Sequence, residues 1–487
     1  MHSYETLDRP GGFDRSNVLL PLKVRDFRLL WTGMAVSLLG DGIFLVAIAW
    51  QAYALSNVPT ALSLVGLAVA VPHIAFLLIG GVISDRFQRR KVMLAADIVR
   101  GLSIATVAVL SLSGSLTLAQ LVGLSAVYGA GTAFFGPAFD AIVPDIVPEK
   151  LFPAANSLDQ LMKPLALRMI GPAVGGWLIA GFGVGTAFAV DAATFGVSAA
   201  ALLMMNVSRI HRERDESVSV LDDMRAGYSF VRKHVWLWGS FLAATFAYLL
   251  FMGPAEVLLP YMLKNDLNGS AADLGLVFAM GGVGAIGAAL LVGRFGIPGR
   301  NMTFIYVTWT LATLAVAGYG IATLPWHLMV ASFFFHSLET AGTIVWMTTK
   351  QRHVPAALLG RVSSFDWLIS TALLPLSFAL TGPVSALIGP RTTLVGAGLL
   401  GGAITLGALF LPGMRSLERR PAGDRGAKPP VNVCFRRFAA PEIRRCGPGA
   451  RYGDTHGANR TRHRHPGLRE ILVETRGRQG AGHQGTL

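Results

Sequence analysis

Long, nearly uninterrupted apolar stretches are the feature that most limits how this chain can fold. A helix needs about 20 mostly apolar residues to cross the roughly 30 Å hydrocarbon core of a bilayer. Only 14% of the 487 residues are charged, whereas soluble domains carry about 25%. The sequence therefore predicts an all-α integral membrane protein with twelve transmembrane helices. The twelve windows are 28–54, 60–84, 92–112, 116–138, 157–181, 184–206, 236–262, 271–293, 302–323, 326–349, 364–388 and 391–412.

The charges of the connecting segments predict which side of the membrane each of them faces. Three connectors on one side, "SNVPT", "LSGSLT" and "GFGVGT", contain no Lys or Arg. The opposite side carries the basic cluster from Arg86 to Lys91 and the charged segment 207–235. Because positively charged loops stay on the cytoplasmic side, both termini and the central segment are expected to be cytoplasmic. The expected location is the inner (cytoplasmic) membrane.

The central segment divides the windows into two sets of six that resemble each other. Val147–Leu161, "VPEKLFPAANSLDQL", aligns with Val354–Leu368, "VPAALLGRVSSFDWL", at a spacing of 207 residues. Six spans per half give both halves the same orientation, so the predicted repeat is parallel, with its pseudo-twofold axis along the membrane normal. The predicted regions are a cytoplasmic N-terminal segment (1–27), a first six-helix bundle (28–206), a linker (207–235), a second six-helix bundle (236–413) and a basic tail (414–487).

The tail accounts for most of the formal charge of +14. Residues 414–487 contain 16 Lys or Arg and 6 Asp or Glu. This segment has no sustained periodicity and is predicted to be disordered. Its charge is expected to attract it passively to anionic lipid, and nucleic acid is not an expected partner. The two cysteines, Cys434 and Cys446, offer no disulfide framework or zinc spacing, and no metal or cofactor is expected.

The linker contains Val220, Met224, Tyr228 and Val231 at helical spacing opposite charged positions. This pattern fits an amphipathic helix on the cytoplasmic leaflet. A solvated connector fits equally well.

Two motifs resemble signatures of the major facilitator superfamily. "GGVISDRFQRRK" is similar to the signature between helices 2 and 3, with Gln88 in place of the usual Gly. "RMIGPAVGGWL" is similar to the Gly-Pro motif of helix 5 in exporters, with Leu167 in place of an upstream Gly. The matching positions are Gly81, Asp85, Arg86, Arg89, Arg90 and Lys91 in the first motif, and Gly171, Pro172, Gly175 and Gly176 in the second. Further stretches, including "LGDGIFLVAIAW" and "RHVPAALLGRVSS", resemble the branch that contains enterobactin-type siderophore exporters and macrolide efflux proteins.

The resemblance implies a secondary active transporter that exports a small amphipathic molecule, such as a drug, siderophore or secondary metabolite, by alternating access. The sequence has no G-x-x-x-x-G-K-[ST] loop for ATP, so a proton gradient is the expected energy source. The sequence contains no nucleophile–base motif, so we do not expect an enzyme. A monomer in the lipid bilayer is expected. Two alternatives stay open at this point: a facilitator that imports a small solute, and a non-transporting membrane sensor on the same fold.

Ionisable side chains at membrane depth are costly and are therefore candidates for function. Asp41, between two glycines in helix 1, is a candidate for proton coupling. Glu339 is a second candidate, together with His336 one turn away in helix 10. Asp41 could equally be the structural partner of a fixed cation.

Three further ionisable residues are candidates for substrate or counter-ion contacts. Arg168 cannot lose its charge, so we expect it to pair with Asp41 or another acid of the first half, with direct substrate contact as the alternative. Glu256 is a candidate for binding a cationic substrate or gating the outer side. Asp191, nearer the outer face, has a structural role as its main alternative.

The helix 2–helix 3 motif implies a conformational latch. The resemblance places Asp85 against the N-terminal end of helix 11, near Ser363 and Ser364. Asp97 and Arg100 are spaced i, i+3, so they are expected to pair and to extend this network.

Aromatic residues in several windows can either line a cavity or pack between helices. They are Trp50, Phe134, Phe135, Tyr248, Phe333, Phe334, Phe335 and Trp346.

Overall fold

The computed structural model describes residues 19–148, 151–206 and 220–418, and within these ranges the secondary structure is helical, without strands. A π-helical segment, Lys163–Ile170, joins α5 to α6. The helices are α1 (Arg25–Leu55), α2 (Pro59–Arg86), α3 (Arg89–Leu112), α4 (Leu118–Ile146), α5 (Phe152–Met162), α6 (Gly171–Phe182), α7 (Val184–Met204), α8 (Val220–Lys233), α9 (Val235–Asn265), α10 (Ala271–Phe295), α11 (Asn301–Ile321), α12 (Pro325–His353), α13 (Ala356–Thr371), α14 (Leu374–Ile388) and α15 (Pro390–Ala408).

Eleven helical segments of the described chain are long and apolar enough to cross a membrane. They overlap the first eleven predicted windows, and the twelfth window forms α15. Helix α15 is less apolar because it begins with Pro390 and Arg391 and contains five glycines. It nevertheless packs beside α9 and α11 as part of the second bundle. The predicted all-helical, multi-pass membrane fold is therefore confirmed.

The helix contacts repeat between the two halves. In the first half α1 and α3 pack on α7, and α4 packs on α2 and α3. In the second half α9 and α11 pack on α15, and α12 packs on α10 and α11. The contacts between the halves are also paired, since α6 packs on α10 and α14 packs on α2. This correspondence is the predicted pseudo-twofold repeat of two six-helix bundles.

The fifth span of each half is interrupted at an equivalent place. In the first half Pro164 lies in the π-helical segment between α5 and α6. In the second half the helix stops between Thr371 and Leu374, just before Pro375. Proline has no N–H and clashes with the preceding turn, so each span bends there. Arg168 lies at the bend of the first half.

Two glycine turns also repeat. Gly183 joins α6 to α7 with φ +84°, and Gly389 joins α14 to α15 with φ +87°. Both backbones are in the left-handed region that glycine tolerates best.

The two bundles are joined by hydrogen bonds where α1 and α9 end, which we call the closed end. The Tyr53 hydroxyl donates to the Val257 carbonyl at 2.5 Å. The Lys264 ammonium donates to the Tyr53 carbonyl at 2.7 Å, and Asn57 Nδ2 donates to Asn265 Oδ1 at 2.6 Å. Tyr53 is 1% exposed, so its bond lies inside the contact between the bundles.

The glycines of the helix-5 motif lie where backbones meet. A methyl group on Gly171 would lie 2.7 Å from the Leu39 carbonyl oxygen of α1, and one on Gly175 would lie 2.9 Å from the Ile43 Cα. A methyl group on Gly176 would lie 2.6 Å from the Ala271 carbonyl oxygen of α10. The motif thus packs α6 on α1 within the first bundle and on α10 across to the second.

Part of the predicted linker forms helix α8. Val231 is 4% exposed in an apolar cluster of the second bundle, and the Tyr228 ring centroid lies 6.4 Å from that of Phe365 in α13. Met224 is exposed. The predicted helix is therefore present, and one side of it packs on α13.

Residues 1–18, 149–150, 207–219 and 419–487 lie outside the described residues. Residues 1–18 of the predicted N-terminal segment, the first part of the linker and nearly all of the tail fall there. The five predicted regions and their boundaries stay predictions.

We expect Gly176→Ala to loosen the contact of α6 with α10, because its methyl group would meet the Ala271 carbonyl. Overpacking of this kind costs about 1–3 kcal/mol. The measurement is oxidative cross-linking of Asn57→Cys with Asn265→Cys across the closed end, with Cys434 and Cys446 replaced by Ser. Gly181→Ala in the same helix is the matched control, since a methyl group there meets nothing within 4 Å. Equal cross-linking in both variants would show that this contact does not hold the bundles together.

Candidate functional site

A cluster of charged side chains lies inside the first bundle, centred on Asp41 of α1. The Tyr128 hydroxyl of α4 donates to Asp41 Oδ1 at 2.7 Å. The Arg100 guanidinium of α3 lies 3.9 Å from Asp41 Oδ2. Asp41 keeps 15% side-chain exposure, whereas Arg100 keeps 4%. Asp41 is therefore the more accessible member of this pair.

Arg100 is fixed from several directions. Its guanidinium bonds Asp97 Oδ1 at 2.5 Å, and Ser198 of α7 donates to Asp97 Oδ2 at 2.6 Å. The guanidinium carbon lies 4.5 Å from the ring centroid of Phe135 and 4.7 Å from that of Phe195. Ion pairing and contact with aromatic faces both offset the free-energy cost of removing a cation from water.

A third carboxylate, Asp191 of α7, belongs to the same cluster. It is fully buried and lies next to Gly40 of α1, the residue before Asp41. The Thr194 hydroxyl lies 3.5 Å from Asp191 Oδ1, and Asp191 Oδ2 has no hydrogen-bond partner among the described residues. Gly40 is required here because a side chain at that position would overlap Thr194 and Asp191.

One expectation about these residues is corrected by the structure, and another is confirmed. Asp41 pairs with Arg100 and Tyr128, and the expected pairing with Arg168 is not formed. Asp97 and Arg100 pair with each other as predicted, and they join Asp41 inside the bundle. Arg100 lies eleven residues into α3, about 16 Å along the helix at 1.5 Å per residue, which accounts for its depth.

Arg168 instead reaches across to the second bundle. Its Nη1 lies 2.7 Å from Nε2 of His336 in α12. His336 Nδ1 lies 3.0 Å from the Ser332 carbonyl oxygen. A carbonyl only accepts, so Nδ1 carries the proton and Nε2 accepts from Arg168. This bond connects the bend of the first bundle to the wall of the second.

A central cavity of about 220 Å³ lies beside this bond. Glu256 of α9 and Glu339 of α12 line it together with Arg168 and His336. Thr343 Oγ1 donates to Glu339 Oε1 at 3.1 Å. The remaining lining residues are mainly apolar or aromatic: Leu45, Leu167, Pro172, Tyr248, Phe251, Met252, Ala255, Leu259, Phe278, Tyr319 and Phe335.

The aromatic residues named from the sequence divide between cavity and packing. Tyr248 and Phe335 line the central cavity. Phe135 faces Arg100, and Trp346 packs in the apolar cluster of the second bundle beside Lys350. The ring of Trp50 lies 5.6 Å from the Lys264 ammonium at the closed end.

The helix 2–helix 3 motif holds elements of the first bundle together where its side chains are described. Arg89 forms an ion pair with Asp145 and donates to the Ala141 carbonyl of α4. Arg90 donates to the Met205 carbonyl at the end of α7, and Lys91 is exposed. The side chains of Gly81, Asp85 and Arg86 lie outside the described part, so the role of Asp85 as a latch stays a prediction.

Some residues of the Asp41 cluster and of the closed end could not be predicted from the sequence as functional residues. Tyr128 and Ser198 are ordinary residues of apolar helices, and only their spatial neighbours give them a role. Tyr53 at the closed end is likewise an ordinary residue of an apolar helix, and only its bond with Val257 gives it a role. A search for polar side chains between small residues, as in "SAVYGAG", would have selected Tyr128.

Comparisons with known proteins agree with this architecture. Residues 16–437 match the model of a family described as transmembrane secretion effector. The chain is 26% identical over 405 residues to the multidrug efflux pump Tap of Mycobacterium tuberculosis, covering 79% of this chain and 93% of that protein. It is 22% identical over 373 residues to macrolide efflux protein A of Streptococcus pyogenes, covering 74% and 90%.

A solved structure of similar fold is a bacterial homologue of the iron transporter ferroportin in an inward-facing state. It superimposes with a TM-score of 0.59 at 17% identity, covering 79% of this chain and 98% of that one. At this identity the likeness concerns the fold. Together with the family match over most of the chain, it shows that the chain belongs to the transmembrane secretion effector family of major facilitator transporters, whose members are membrane transporters and not enzymes.

Proposed function

We propose that this transporter exports a small amphipathic molecule in exchange for protons, by alternating access. The observation that carries the proposal is the charge imbalance of the Asp41 cluster. Asp41 and Asp97 pair with the one guanidinium of Arg100, and a third carboxylate, Asp191, is buried against Gly40, the residue before Asp41. With every group ionised the cluster would hold a net charge of −2 at membrane depth.

Uncompensated charge in a low-dielectric region is costly, and bound protons remove that cost. Arg100 keeps its charge in a protein, so only the carboxylates can exchange protons. Asp97 already has a counter-charge in Arg100 and a hydrogen-bond donor in Ser198, so we assign it the role of fixed partner. Asp41 and Asp191 are therefore the proposed proton carriers, with Asp41 the accessible one.

The central cavity is the proposed substrate site. Its walls are mainly apolar and aromatic, with two carboxylates, one guanidinium and one imidazole. Such a surface suits an amphipathic molecule that carries a positive charge. The efflux activities named for the relatives, macrolide and multidrug export, are compatible with a substrate of this kind.

The closed end supports a particular stage of the transport cycle. The predicted orientation puts the ends of α1 and α9 on the outer side. Hydrogen bonds from Tyr53, Asn57 and Lys264 join the bundles there. We infer an inward-open conformation in the inner membrane, with both termini cytoplasmic and the protein acting as a monomer.

We propose that the Arg168–His336 bond depends on the relative position of the two bundles. An imidazolium at His336 would face the Arg168 guanidinium at hydrogen-bond distance and would be repelled by it. His336 can take up a proton only when the bundles move and this bond opens. Protonation of His336 would then follow the conformational change.

We expect the double variant Asp41→Asn with Asp191→Asn to abolish proton-driven accumulation, because both proposed proton carriers are lost. The measurement is uptake of a radiolabelled macrolide into inverted vesicles with an imposed inside-acid gradient. Accumulation should fall to the level of vesicles without a gradient, while exchange of labelled for unlabelled macrolide continues. Asp266→Asn is the control, since Asp266 forms a half-exposed pair with Arg391 away from the cluster. Wild-type accumulation in the double variant would contradict the proposed coupling.

We expect Glu256→Gln and Glu339→Gln to weaken transport of cationic substrates selectively. Loss of one charge contact of about 1.4 kcal/mol corresponds to about a tenfold higher apparent KM. An uncharged macrolide derivative should change much less. Equal losses for charged and uncharged substrates would point to a packing role for the two glutamates.

A further inference from the structure

A second cavity lies within the first bundle, apart from the central one. It has a volume of about 280 Å³ and lies between the start of α1, the end of α4 and the start of α5. The two cavities share no lining residue. Neither the Asp41 cluster nor the Arg168–His336 bond contributes to this one.

Aromatic rings and carboxylates line this second cavity together. Four aromatic rings line it: Phe27, Trp31, Phe139 and Phe152. Asp140 of α4 and Asp159 of α5 contribute carboxylates. Aromatic faces and carboxylates are the two groups that proteins use to hold an organic cation.

Two buried polar atoms of the walls are left without partners among the described residues. Asp159 Oδ2 accepts from Lys163 Nζ at 2.8 Å, but Asp159 Oδ1 is buried without a hydrogen bond. The indole Nε1 of Trp31 is also buried without one. Buried polar groups normally have partners, so a ligand that donates a hydrogen bond would satisfy Asp159 Oδ1.

The charges of the cavity indicate which ligand. Asp140 and Asp159 are negative, and Lys163 is the positive group that pairs with Asp159. The net charge of this group is −1, which one monovalent cation neutralises. The volume limits the ligand to a small molecule.

We propose that this cavity is a second binding site for a small aromatic or aliphatic ammonium ion. Binding itself is independent of proton coupling. Its place in transport rests on the proposed function: in the proposed orientation the cavity lies on the cytoplasmic side, where it would collect cationic substrate before the central cavity does.

The test is calorimetric titration of the purified full-length protein in nanodiscs with benzylammonium, whose N–H groups can donate to Asp159 Oδ1. The background carries Glu256→Gln and Glu339→Gln, so that the central cavity has lost its carboxylates. We expect one bound cation per chain in this background. Adding Asp140→Asn and Asp159→Asn should weaken binding by about tenfold or more, because both carboxylates that face the cation are lost.

A second variant blocks the cavity without removing its carboxylates. Ala155 is buried and lines the cavity, so Ala155→Phe should fill it and block binding with both carboxylates intact. Asp266→Asn is the control and should bind like the background. Retained affinity in either cavity variant, or no saturable binding up to about 10 mM, would overturn the proposal. Proton-driven transport in the vesicle assay would be unaffected by that result, so the two proposals fail separately.

Discussion

The guanidinium of Arg100 is the group around which the first bundle is arranged. A permanent cation buried among transmembrane helices must be compensated locally. Asp97 and Asp41 supply the counter-charge. The guanidinium also lies over the ring faces of Phe135 and Phe195. These partners come from four helices, α1, α3, α4 and α7. Their relative placement is therefore tied to one side chain.

The second constraint is how closely the helix backbones approach one another. In a membrane, helices gain little from burying apolar side chains, since lipid is equally apolar. Small residues allow backbone contact, as Gly42 does with Gly171 between α1 and α6. Gly282 performs the same task where α10 passes Met169. Close contacts of this kind place Arg168 within reach of His336, on the far side of the boundary between the bundles.

Much of the fold could be predicted from the sequence because a bilayer imposes a minimum length on each apolar helix, and one sequence can reveal that length. The repeat of Val147–Leu161 in Val354–Leu368 also indicated the paired arrangement of the bundles. The pairing of Asp97 with Arg100 followed from helical spacing. The depth of this pair and its contact with Asp41 could not be predicted, because the spacing of residues along one helix does not show which other helix they face. Arg168 was assigned the wrong partner for a related reason. It lies in a π-helical segment, which widens the turn and shifts the facing of every later residue away from the 3.6-residue period.

The fixed charge of Arg100 has a consequence for energetics in the proposed mechanism. The cluster is neutral when two of its three carboxylates are protonated, so it can deliver at most two protons per cycle without acquiring a net positive charge. Export of a monovalent cation against one proton moves no net charge across the membrane. The same export against two protons moves one charge inward and draws on the membrane potential. The number of carboxylates around a single arginine therefore sets how far the electrical gradient, in addition to the pH gradient, can drive this transporter.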